Sequence, residues 1–205
     1  MATKSQKSNA LVCENRTAWR QWLTDHHATE SGVWLKLFRK NEPTSTLTHQ
    51  EALDEALCFG WIDGAIRKGD GHHHLQYFAQ RNPKSNWSRI NKEKIAKLRA
   101  SGLMTKAGLQ MVELAQKTGT WTALDEVENG TLPPDLADAL NANATAKAHF
   151  EHFPRSTRRG ILEWLLNAKT EKTRSNRIHE IVAKAEKNER ANFPAKKTEG
   201  SRSSL

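Results

Sequence analysis

Thr48-His49-Gln50-Glu51-Ala52-Leu53-Asp54-Glu55-Ala56-Leu57-Cys58-Phe59-Gly60-Trp61-Ile62-Asp63-Gly64 is the stretch on which the fold turns. Its first four residues form a capping box: the Thr48 hydroxyl accepts from the Glu51 amide while the Glu51 carboxylate reaches back to the Thr48 amide. Leu53, Ala56 and Leu57 recur behind it at helical spacing, and Gly60 closes the helix. Trp61 to Arg67 then reads as a strand, so a helix leads straight into a sheet.

Upstream, Trp19, Trp22, Leu23 and His26 mark one stripe of a helix from about Arg16 to Thr29, with Gly32 as its stop. In Val33 to Lys40, Val33, Leu35 and Leu37 alternate with Trp34, Lys36 and Phe38, which predicts a strand broken at Asn41-Glu42-Pro43. Downstream, a turn at Lys68 to Gly71 leads to a strand over His74 to Arg81. Paired with Trp61 to Arg67 it makes a hairpin.

Beyond Pro83 the pattern turns helical. One helix is expected over about Ser88 to Ser101 and another over Thr105 to Thr118, ended by Gly102 and Gly119. Residues 120–132 read as a linker with a turn at Asn129-Gly130. Pro133-Pro134 opens a set of four helices: a short one carrying Leu136, Ala139 and Leu140, then Ala144 to Phe153, then one lined by Ile161, Leu162, Leu165 and Leu166, then Glu171 to Asn192. The last is expected to bury Ile178, Ile181, Val182 and Ala185. The predicted class is α+β, predominantly helical. An N-terminal domain at 1–119 holds a three-stranded antiparallel sheet, a linker spans 120–132, an all-helical domain covers 133–192 and a tail covers 193–205; residues 1–9 form a second tail.

The chain has 205 residues and a formal net charge of +9, which draws polyanions but does not choose among them. No apolar run approaches the ~20 residues of a membrane span. Met1 to Asn9 is polar, with no apolar stretch after it, so the cytoplasm is the expected compartment. Cys13 and Cys58 have no metal-ligand spacing, and Cys58 sits among apolar neighbours as an expected buried, inert thiol.

Long ordered strings here resemble the YdeI/OmpD-associated (bacteriocin-protection) family. They are Glu51 to Gly64, Arg81 to Asn91, Gly102 to Gly108, Pro133 to Leu140, and Trp164 with Ala168-Lys169 and Glu171 to Ile178. The resemblance runs from about Trp19 to Val182. It implies an interaction protein of the stress- or bacteriocin-protection type and carries no catalytic residues over.

The densest candidate site joins Trp61 and Asp63 to Arg81, Ser85, Trp87, Ser88 and Asn91. If the hairpin brings Asp63 to Arg81, these groups could line a pocket for a small polar or anionic ligand, with Arg81 as a bidentate fork. The plain structural reading makes Asp63–Arg81 a salt bridge, Ser88 a helix cap and the Trp residues core. A second candidate is the basic stretch 81–106, with Lys84, Arg89, Lys92, Lys97 and Arg99 beside Trp87, which would suit single-stranded nucleic acid. The alternative there is a solvated helix face. His72-His73-His74 alternates in direction along an extended chain and so ligates poorly, and no metal or cofactor is assigned. No nucleophile elbow, P-loop or dinucleotide fingerprint occurs. On the family resemblance a non-enzymatic interaction protein of the stress- or bacteriocin-protection type is favoured, with a nucleic-acid-binding module and an enzyme using the same pocket as alternatives.

Overall fold

The computed structural model describes residues 10–39 and 46–193. The expected tail at 1–9, the break at Asn41 to Pro43 and, apart from Phe193, the expected tail at 193–205 lie outside these residues. The chain divides into two units, up to Ala123 and from Leu124.

The first unit runs α1 (Arg16–His26), β1 (Gly32–Phe38), α2 (His49–Cys58), β2 (Trp61–Lys68), β3 (His73–Gln80), α3 (Arg89–Ala100) and α4 (Lys106–Thr118). The capping box forms at the head of α2, with both Thr48 and Glu51 bonds made. α1 stops at His26, earlier than Thr29, and the Thr29 and Glu30 amides beyond it both close on the His26 carbonyl. Gly32 opens β1 and does not end the helix.

The sheet is antiparallel with order β1-β3-β2, and the register of β2 on β3 shifts between Asp63 and Ile66. On its inner face Leu35, Leu37, Phe78 and Trp61 are buried. Trp19 and Trp22 of α1 meet Phe78 and Trp61 there, at ring distances of 5.4 and 5.9 Å. Glu55 of α2 is also buried, and it accepts from both Arg16 and Arg20 at 2.5 Å. Two guanidiniums thus satisfy a carboxylate that would be costly to bury alone.

In the second unit are α5 (Asp125–Asn129), α6 (Pro134–Asn141), α7 (Ala144–His152), α8 (Arg155–Leu166) and α9 (Glu171–Glu186). Its core holds Leu136, Leu140, Phe150, Ile161, Leu165 and Ile181. The stretch 120–132 is more structured than a linker: Trp121 packs on the first core, and Leu124 and Val127 are buried in the second. α9 ends at Glu186, short of Asn192, and Asn188 and Asn192 beyond it take positive φ. Leu166 lies outside the core, 40% exposed. Among the described residues no helix is long and apolar enough to cross a membrane.

Candidate functional site

Arg81 follows β3, and its amide donates to the Gly60 carbonyl at 3.0 Å. The side chain is 5% exposed. Its guanidinium lies over the Trp87 ring, 3.9 Å from the centroid, and donates to the Asn86 carbonyl at 2.5 Å. Nε has no partner. Burial pulls this guanidinium down from the usual arginine range to about 10, an effect that the negative charge of Asp63 partly opposes.

Asp63 is near enough to be felt by Arg81, but its carboxylate bonds elsewhere. It faces Phe78 across the strands and is hydrogen-bonded to His49 Nε2 at 3.0 Å. The two groups therefore form no ion pair, and His49 is a partner that sequence reasoning missed. It lies at the head of α2, fourteen positions away, and no local pattern links it to the strand.

The rest of the cluster serves the fold in several ways. Trp61 is buried, with its indole N–H on the His27 carbonyl at 3.1 Å. Trp87 is buried and packs on Trp121 at 5.1 Å. The Ser88 hydroxyl caps α3 by accepting from the Asn91 amide, and the Ser85 hydroxyl donates to the Asn82 carbonyl at 2.7 Å. On the basic stretch Lys84, Lys97 and Arg99 are exposed, while Arg89 and Lys92 are partly so. Lys92 stands 5.9 Å from the Trp121 ring, and Lys94 is held by Asp54 at 2.5 Å.

The His tract splits across the sheet. His73 pairs with Asp70 at 2.8 Å, and His74 points to the other face, where burial first and then His49, His73 and Arg39 lower its pKa. Among the described residues no three metal-capable side chains gather.

A different surface collects aromatic and basic groups. Register places Trp34 opposite Tyr77, Phe38 opposite His73, and both Lys36 and Arg67 opposite Leu75. Cross-strand partners share a face, so these side chains lie together on the face away from Trp19 and Trp22. Trp34 and Tyr77 meet at 5.1 Å, Arg67 stacks 4.1 Å from the Trp34 centroid, and Lys36 stands 5.9 Å from that of Phe38. Arg67 is exposed and the others partly so, and among the described residues neither Arg67 nor Lys36 has a carboxylate partner. The alternation of Trp34, Lys36 and Phe38 was the visible signal for this face; the contribution of Tyr77 and Arg67 needed the register.

Residues 129–188 match the family described as bacteriocin-protection, YdeI or OmpD-associated. Residues 11–111, which include the strings from Glu51 to Asn91, match a separate model, a domain of unknown function (DUF8412). No curated protein and no solved structure matches the chain.

Proposed function

We propose, from the premise that the chain carries a YdeI/OmpD-associated domain at 129–188, that the protein is a non-enzymatic binding protein whose N-terminal unit takes single-stranded nucleic acid on the outer face of its sheet. One observation carries this: Trp34, Phe38 and Tyr77 are interleaved with Lys36 and Arg67 on the partly exposed outer face of the three-stranded sheet. Bases stack on aromatic rings while cations track the phosphates, which needs no base-specific contact. The +9 balance favours the same class of partner. A part in stress or bacteriocin protection, as the family's description suggests, would be exercised through that binding.

The test is fluorescence anisotropy of labelled oligo(dT) and oligo(U) with the whole protein at two salt concentrations. Binding should weaken steeply with salt. Arg67→Glu and Trp34→Ala should each lower affinity about tenfold, since a stacked base contributes ~1–3 kcal/mol. Lys97→Gln with Arg99→Gln on α3 should have the smaller effect. Absence of binding at low salt ends the reading, and a loss confined to the α3 pair moves it to that helix.

A further inference from the structure

α8 begins in an electrostatically awkward way. Its N-cap is Pro154, which offers no side-chain hydrogen bond, and no acid lies in its first turn. Arg155 and Arg158 stand there instead, with Arg159 one residue beyond. A helix N-terminus carries partial positive charge and favours anions, so three cations at this end oppose the dipole.

These three side chains border a cavity of about 260 Å³, whose apolar wall includes Val127, Phe150 and Leu162. Arg159 is neutralised: it donates to Glu128 Oε1 at 2.9 and 3.0 Å and to Glu163 at 2.9 Å. Among the described residues Arg155 reaches a carbonyl alone, that of Glu128, at 3.1 Å. Arg158 has a buried Nε with no partner and, among the described residues, no carboxylate. Glu151, an exposed acid, also borders the cavity. Glu128 is taken up by Arg159, which leaves Glu151 as the other acid bordering the cavity beside Arg155 and Arg158.

We infer that this cavity binds a small phosphate ester. The guanidiniums of Arg155 and Arg158 would take the phosphate as planar forks, and Val127, Phe150 and Leu162 would receive the organic part. The volume lies just below that of most ligand cavities, roughly 300–1,000 Å³, so the fit is to a body of one ring or a short chain. The phosphate would also complete the uncapped start of α8.

The experiment is isothermal titration of the whole protein with phenyl phosphate, inorganic phosphate and phenol. Phenyl phosphate should bind more tightly than inorganic phosphate, and phenol should not bind. Arg158→Gln should weaken phenyl phosphate tenfold or more. Arg155→Gln, at an exposed position that folding tolerates, should weaken it severalfold, and Glu151→Gln should tighten it. Trp34→Ala should leave it unchanged, which separates this site from the sheet face. No heat with phenyl phosphate, or equal affinity in wild type, Arg155→Gln and Arg158→Gln, overturns the inference.

Discussion

Arg81 and Trp87 hold each other: the guanidinium lies 3.9 Å from the ring centroid while donating to the carbonyl of Asn86, the residue before the ring. The cation thereby fastens the loop that leads into α3. Arg81→Ala should destabilise the N-terminal unit by about 2–3 kcal/mol, since it removes a charged hydrogen bond and the guanidinium stacked on a buried indole. Arg81→Lys should recover little, because an ammonium lacks the planar face that stacks on an indole. Six of the seven Trp residues precede residue 124, so the urea midpoint followed by Trp fluorescence reports on this unit.

Gly108 sits inside α4, where alanine normally adds about 1 kcal/mol of helix stability. Here the sign should reverse. α4 starts against the end of α2, where the Thr105 hydroxyl and amide both donate to the Cys58 carbonyl, at 2.7 and 3.1 Å. A Cβ on Gly108 would overlap that same carbonyl oxygen, which is backbone and cannot step aside. Gly108→Ala is expected to lower stability by about 1–3 kcal/mol, as overpacking does. An unchanged or raised urea midpoint would mean that the two helices are free to part.

What the sequence made legible was local. The capping box of α2, the Ser88 cap and the closing Gly119 each depend on residues within one turn, and each is found. α5 spans only five residues, too few to show a period, so it was hidden in the linker. The burial of Glu55 has no local signal, because its two arginines lie 35 and 39 positions away. The Asp63–Arg81 pairing rested on strand adjacency alone; His49 provides Asp63 with a closer partner from outside the hairpin. Register decided the outer face in the same way, since it is pairing that sets Tyr77 beside Trp34 and Arg67 over it.

Cys13 and Cys58 are both buried, and burial pushes each thiol up to about 11. The thiolate is the nucleophile, so at pH 8 the native protein should react with iodoacetamide at a small fraction of the rate of a free thiol. Two equivalents should be taken up on denaturation. Rapid alkylation of either residue in the folded state would show an environment far wetter than this one.

The capping box predicts a pH signature. Hydrogen bonds from the Thr48 amide first, and from its hydroxyl second, hold the Glu51 carboxyl below its ordinary value. Its folded pKa is thus depressed, so its contribution is present above the unfolded pKa, ~4.3, and is lost as pH falls through the folded one. Glu51→Gln should therefore be less stable than wild type at pH 7, and the gap should close once the pH lies below both values. Thr48→Ala should lose about 1 kcal/mol at neutral pH, and adding Glu51→Gln to it should change little, because each residue works through the other. Urea midpoints of the four proteins at pH 7 and near pH 3 decide the matter: a Glu51→Gln gap that persists unchanged in acid would place the stabilisation in packing and not in the carboxylate.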